Sequence, residues 1–306
     1  MSPNPARPPA PQNGGGEGLS PPSVYMLAAL MLIAHGLGDR VHAWADGVLA
    51  AIGIAMLVLP RLQRSFLLWA LAAALFWVVI DLRYAYLDNH KWLIALWLSA
   101  LAVSCFVAAP VRMMARAGAS LLLLAFPLSV VQKLMVGEYF SGSFFHVTFL
   151  VEPRFRTTGH FLGGLTREDL FSNTQALQAG RLFPDIVDGA LASAPAMHAV
   201  AIATAFWAVT IEMLMGIGFG LRLLPREWFT GGAKRVLAAI RWLREPLLIL
   251  FIATTYFLVP LTNFAAILCL MAHAQAETRR SSWLFTWVFV ALQTIEVWHG
   301  GGLWLA

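Results

Sequence analysis

The chain has 306 residues, of which 59% are hydrophobic and 12% are charged, and its formal net charge is +5. Soluble domains carry about 25% charged residues, so this composition argues against an ordinary soluble enzyme and is typical of a protein with several membrane-spanning segments. The basic residues are scattered in pairs, without a basic and aromatic patch, which argues against nucleic acid as a partner and favours the lipid bilayer.

The uncharged runs predict an all-α, polytopic membrane helix bundle. Residues 1–22 are rich in Pro, Gly and Ser and predict a disordered tail, which leaves 23–306 as a transmembrane helical domain. Helices are expected because a membrane segment must satisfy its own backbone hydrogen bonds, and no strand-like alternation is present. About eight runs have the length that crosses a hydrocarbon core. They are 24–38, 42–60, 65–81, 91–109, 117–136, 193–221, 247–273 and 282–298.

Two further regions do not have the pattern of a membrane span. Residues 137–192 mix aromatic and charged side chains and predict one long loop. Residues 226–246 alternate arginines with apolar residues at helical spacing, which predicts an amphipathic helix lying on the membrane surface.

The Lys and Arg residues predict the orientation. With eight spans, most of them fall on the side of the N-terminal tail, and the positive-inside rule makes that side cytoplasmic. Both termini are then expected in the cytoplasm. The loop 137–192, the start of the fourth span and the end of the fifth span are expected on the outer side.

The fourth span begins with a cluster of polar groups, Asp88, Asn89 and His90. A neutral imidazole can transfer a proton near pH 7, and a neighbouring amide or carboxylate can orient it. The alternative is an interfacial cap, in which Asp88 or Asn89 caps the helix while His90 and Lys91 face lipid headgroups.

Two more ionisable residues lie within spans, where each needs a partner or a function. Lys133 ends the fifth span and, when withdrawn from water, can act as a base; alternatively it reaches the interface and pairs with Glu138. Glu212 lies deep in the sixth span, where we expect it to be protonated or paired with a basic residue of another helix. The sequence has no motif for a metal or a nucleotide.

Three stretches together resemble the horizontally transferred transmembrane (HTTM) family, which includes vitamin K-dependent gamma-glutamyl carboxylase and many bacterial membrane proteins. "DNHKWL" (88–93) is similar to the "NNHSYL"-like stretch of the carboxylase, and "QKLMVGE" (132–138) to its "KKLDADWVEG"-like stretch. The acidic span "EMLMGIGFGLRLLPR" (212–226) also resembles the family. The similarity extends over roughly residues 24 to 300.

The resemblance implies catalytic roles for three residues. Lys133 would be the base that deprotonates a vitamin K-like hydroquinone, His90 would handle the substrate proton, and Asn89 would orient His90, with Asp88, Glu138 and Glu212 in support. It also implies a reduced quinone as cofactor, a peptide or small carboxylate as substrate, and a bacterial inner membrane as the location. The carboxylase has a large lumenal domain without a counterpart here, so only the membrane core of the reaction is expected.

Two functions of different classes follow from these observations. The first is a quinol-dependent, carboxylase-like or oxidoreductase-like membrane enzyme with an outward-facing site. The second is a non-catalytic membrane protein that serves the maturation or export of another protein through the loop 137–192.

Overall fold

The described residues of this chain are almost entirely helical and contain no strand. A computed structural model describes residues 23–38, 43–83, 90–152, 155–182, 191–224, 233–258 and 262–298. Their helices are α1 (Val24–Gly38), α2 (Ala43–Val58), α3 (Phe66–Arg83), α4 (His90–Ser104), α5 (Pro110–Met135), α6 (Ser143–Val151), α7 (Arg156–Phe161), α8 (Arg167–Leu182), α9 (Pro195–Leu223), α10 (Ala233–Leu258), α11 (Thr262–Gln275) and α12 (Arg279–Trp298).

Two of these helices, α5 and α9, are long and apolar enough to cross a membrane. Four shorter apolar helices accompany them, at Val24–Leu37, Trp44–Val58, Phe66–Leu82 and His90–Ser104. Both long helices begin with a proline, whose missing N–H costs nothing in the first turn. The all-α class predicted from the sequence is therefore confirmed for the described residues, whereas eight membrane crossings remain a prediction.

The outer surface of the bundle is itself apolar. Large hydrophobic side chains are exposed on α3, α5, α9 and α12, among them Leu67, Leu128, Met213 and Trp287. The interior holds a continuous apolar core that includes Trp69, Trp97, Phe126, Phe219 and Phe289. A surface with so many apolar residues is unusual for a monomer in water and matches a protein surrounded by lipid.

The predicted seventh span, 247–273, is not one helix. The C-terminal half of α10 covers its first part, α11 covers its second part, and the two helices run antiparallel. Phe251 contacts Phe264 near the break, with ring centroids 6.3 Å apart, while Arg244, near the middle of α10, contacts Glu277 just after α11. Residues 259–261, with Pro260, lie outside the described residues. Proline favours such a break because it cannot continue the helical hydrogen bonds.

The antiparallel hairpin of α10 and α11 reverses the predicted direction of α12 through the bundle. Glu277 contacts Arg222 at the end of α9, so the turn between α11 and α12 lies at the end of the bundle that is rich in arginine. Arg279 and Arg280 belong to that end as well, although the eight-span arrangement places them on the opposite side. From there α12 runs back toward the other end of the bundle. The start of α1 lies at the arginine-rich end, because Tyr25 bonds Ser104 at the end of α4, shortly before the start of α5. α12 therefore ends far from the start of α1. Residues 1–22 and 299–306 lie outside the described residues, so the cytoplasmic location of both termini remains a prediction.

The two predicted non-spanning regions are more structured than expected. Within the long loop 137–192 lie α6, α7 and α8, which share a small apolar core with the start of α9; it includes Phe149, Phe155, Leu170 and Met197. Of the amphipathic region 226–246, residues 226–232 lie outside the described residues. The remainder forms the first half of α10 and continues through Pro246 into its apolar half.

Candidate functional site

The packing of α5 against α9 brings the candidate site together. The two helices run antiparallel, and the ring of Pro127 on α5 fits against Gly216 on α9. A Cβ at Gly216 would lie 2.9 Å from Cγ of Pro127, so a larger residue would push the helices apart. One turn further along, Gly220 faces Leu123. This close approach sets the register in which Lys133 and Glu212 meet.

Lys133 and Glu212 form an ion pair between the two helices. Nζ of Lys133 donates to both carboxylate oxygens of Glu212 at 2.5 Å. The Glu212 side chain is only 8% exposed and that of Lys133 is 19% exposed. Such a pair stabilises only when its geometry is good, because both charges have lost water. The sequence-based expectation that Glu212 pairs with a basic residue of another helix is confirmed, whereas the alternative pairing of Lys133 with Glu138 is not found.

An aromatic group covers the pair on the side of the loop that follows α5. Lys133 Nζ lies 5.6 Å from the ring centroid of Tyr139, within the range of a cation–π contact. Tyr139 in turn packs against Phe140, Phe144 and Phe145, with centroid distances of 5.4 to 5.9 Å. The amine is thus held between a carboxylate and an aromatic face.

The hydroxyl of Tyr139 stands out in this environment. The residue is 3% exposed, and its Oη has no hydrogen-bond partner in the described part of the chain. Burial, and to a lesser extent the charge of Glu212, raises the pKa of Tyr139 well above its usual value. The group therefore stays protonated and can donate a hydrogen bond.

Exposed apolar residues lie within about two turns of the pair on both helices. On α5 they are Leu128, Val131 and Leu134, and on α9 they are Met213 and Ile217. Glu212 lies ten residues before Arg222, which corresponds to about 15 Å along the axis of α9. The ion pair therefore lies within the apolar zone of the bundle, well away from the arginine-rich end.

The structure describes only some of the other predicted site residues. His90 begins α4, and both His90 and Lys91 are buried, at 7% and 4% exposure, so the alternative in which they face headgroups is not what the structure shows. Residues 105–109 join α4 to α5, so His90 and Lys133 lie toward the same end of this helix pair. Asp88 and Asn89 lie outside the described residues. Glu138 is exposed, and its backbone oxygen accepts hydrogen bonds from Ser141 Oγ and from Phe144 N.

Sequence reasoning missed Tyr139. It lies in a stretch already notable for mixing charges with aromatic side chains, "GEYFSGSFF", but a tyrosine after the end of a span usually serves as an interfacial anchor. What distinguishes it is its buried hydroxyl and the position of its ring next to Lys133. No group of three or more metal-binding side chains occurs in the ranges that the structure describes.

Comparison with known proteins adds nothing to these observations. No protein-family model, no curated protein and no solved structure matches this chain.

Proposed function

We propose that the chain is an integral membrane protein of the HTTM type, whose site at Lys133 and Glu212 takes a proton from a lipid-soluble phenol such as a quinol. The observation that carries this proposal is the buried ion pair within a surface of exposed apolar residues. Ionisable groups in such surroundings are costly and mark functional sites. Leu128, Val131 and Met213 are exposed on the two helices that carry the pair, so a hydrophobic substrate would approach it from the lipid.

The geometry refines the role of each charged group. Lys133 is engaged with a carboxylate, so it acts as an ammonium, and the group that takes the proton is the Glu212 carboxylate. When a phenol O–H gives its proton to Glu212, the resulting phenolate forms next to the Lys133 ammonium. A fixed positive charge in a medium of low dielectric stabilises such an anion strongly. We assign the unpartnered hydroxyl of Tyr139, whose ring lies over Lys133, as a hydrogen-bond donor to the same oxygen.

The experiment measures whether a bound phenol ionises. A naphthohydroquinone is added anaerobically to the protein in lipid nanodiscs, and the phenolate absorbance is followed against pH. We expect the apparent pKa of the bound phenol to fall by at least about one unit and Lys133→Met to abolish this shift. Glu212→Gln keeps the ammonium and removes a negative charge, so it should retain the shift. Gln132→Ala serves as the control, since it removes an exposed polar side chain from the same turn of α5. An unshifted pKa in the wild type, or a shift that survives in Lys133→Met, would overturn the proposal.

A second candidate function is a docking protein for another chain, and exposed aromatic residues on the α6–α8 segment favour it. Phe161 is 72% exposed and Phe171 is 57% exposed. If this function holds, Phe161→Ser combined with Phe171→Ser abolishes maturation of the partner while the phenol titration stays unchanged. A normal partner level in that variant would contradict it.

A further inference from the structure

Three arginines converge on a single carboxylate at the end of the bundle remote from Lys133. Arg222 Nη1 donates to Glu277 Oε1 at 2.7 Å and Arg241 Nη2 donates to it at 3.1 Å, and Arg244 Nη2 forms an ion pair with the same oxygen at 3.2 Å. We call these four residues the arginine clamp. It joins α9, α10 and the turn between α11 and α12.

Positive charge exceeds negative charge in the clamp. Apart from Glu277, the acidic contact is Glu245, 3.2 Å from Arg244, so three guanidinium groups face two carboxylates in the described part of the chain. The side chain of Arg244 is only 3% exposed, and its Nε has no hydrogen-bond partner among the described residues. A buried donor without an acceptor costs free energy, and an added anion would relieve both that cost and the excess charge.

The clamp is nevertheless open to ligands. Glu277 is 38% exposed, and the side chains of Arg222 and Arg241 are 26% and 16% exposed. Three guanidinium groups from two helices match the several oxygens of a phosphate better than the single carboxylate oxygen they now share.

The surface beside the clamp fits a lipid. Val236, Trp242 and Leu243 are exposed on the same half of α10 that carries Arg241 and Arg244. Trp is enriched where a membrane protein meets the headgroup layer, and exposed apolar side chains there contact acyl chains. An arginine cluster flanked by such residues matches a molecule with a phosphate at one end and hydrocarbon at the other.

We infer that the arginine clamp binds the phosphate group of an anionic phospholipid, and that the Glu277 carboxylate occupies the place of that phosphate when no lipid is bound. This site is independent of the function proposed for Lys133 and Glu212, since about 15 Å of α9 separates Glu212 from Arg222.

The test uses the full chain purified in a neutral detergent. Lipid retained in native mass spectra, and the midpoint of thermal unfolding, are measured with dioleoylphosphatidylglycerol, with dioleoylphosphatidylcholine and with inorganic phosphate. The wild type should retain phosphatidylglycerol selectively, and Arg241→Gln should weaken that retention about ten-fold, the loss of roughly one charged hydrogen bond. Arg235→Gln is the matched control, because it removes the same charge from an exposed position on the same helix.

The variant Glu277→Gln distinguishes a clamp that binds lipid from a clamp that only stabilises the fold. If the carboxylate competes with the lipid phosphate, this variant should retain phosphatidylglycerol several-fold more tightly than the wild type, even though it unfolds at a lower temperature without lipid. Unchanged or weaker retention in Glu277→Gln would overturn the inference. So would equal losses in Arg241→Gln and Arg235→Gln, or stabilisation by inorganic phosphate as large as that by the lipid.

Discussion

Lys133 and Glu212 stabilise the bundle only as a pair, because each leaves an unpaired charge in apolar surroundings when the other is removed. Lys133→Met or Glu212→Met alone should lower the free energy of unfolding by about 3 kcal/mol. The double substitution should recover most of that loss, since it leaves no charge behind. The check is a double-mutant cycle of unfolding in mixed micelles; additive losses in the double variant would show that the two groups are not coupled.

We expect the hydroxyl of Tyr139 to bind a ligand and not to contribute to the free energy of unfolding. Tyr139→Phe keeps the ring over Lys133 and removes a buried O–H that has no partner in the described residues, so the free energy of unfolding should stay the same or rise by about 1 kcal/mol. Tyr139→Leu, which loses the aromatic contacts, should destabilise the protein. Thermal unfolding of the two variants checks this expectation, and a clearly destabilised Tyr139→Phe would mean that the hydroxyl has a structural partner.

The sequence identifies Lys133 and Glu212 singly but not as partners. Each is conspicuous because it is charged within an apolar run, yet 79 residues separate them, and the sequence offered Glu138 as a nearer carboxylate. The pairing depends on the register of α5 against α9, which Pro127 and Gly216 determine by packing. Tyr139 and the arginine clamp were missed for the same reason, since their significance lies in contacts between distant segments.

At the scale of helices, the uncharged runs predict well where a helix lies and poorly where a helix is interrupted. α1, α2, α3, α4, α5, α9 and α12 lie close to predicted spans because hydrophobic length is a local property of the sequence. The run 247–273 has no charge at its centre, so nothing but Pro260 marks the point where α10 ends and α11 turns back. The α6–α8 helices were not predicted individually, because their small core forms only with the start of α9.

Close packing of α5 against α11 should make Gly118 intolerant of a side chain. A Cβ there would lie 2.8 Å from the backbone oxygen of Met271, which cannot move without shifting α11. Gly118→Ala should therefore destabilise the protein by about 1–3 kcal/mol, the usual range for overpacking. Gly47→Ala on α2 is the control: its Cβ would meet nothing within 4 Å, so the higher helix propensity of alanine should stabilise α2. Equal effects of the two substitutions on thermal unfolding would contradict this packing.

The arginine clamp should make the junction of α9, α10 and α12 sensitive to acid. Partial burial raises the pKa of Glu277, but the hydrogen bond from Arg241 and the charges of Arg244 and Arg222 outweigh it, so the pKa is lowered overall. A carboxylate with a lowered pKa in the folded state stabilises at pH values above its unfolded pKa, and this contribution is lost as the pH falls through the folded value. Unfolding midpoints between pH 6 and about pH 3 should fall less in Glu277→Gln than in the wild type; parallel curves would contradict this.

For the whole molecule, the hairpin of α10 and α11 increases the difference in positive charge between the two ends of the bundle, on which the predicted membrane orientation depends. With Arg279 and Arg280 at the same end as Arg222 and Arg244, most of the described arginines lie at one end. The positive-inside rule then predicts that this end faces the cytoplasm. The α6–α8 segment packs on the opposite half of α9, where Gly142 meets Ile202, and it is expected outside.

Cysteine labelling in intact cells distinguishes this arrangement from eight spans with a single helix over 247–273. In a variant without Cys105 and Cys269, which are both free thiols, Glu168→Cys and Arg280→Cys place single thiols at exposed positions on α8 and α12. A membrane-impermeant maleimide should label Glu168→Cys in intact cells but Arg280→Cys only after permeabilisation. The eight-span arrangement puts both positions outside, so labelling of both in intact cells would favour it and would contradict the antiparallel packing of α10 and α11. Because Arg280 directly follows the turn that carries Glu277, the same result would also remove the arginine clamp from the cytoplasmic surface.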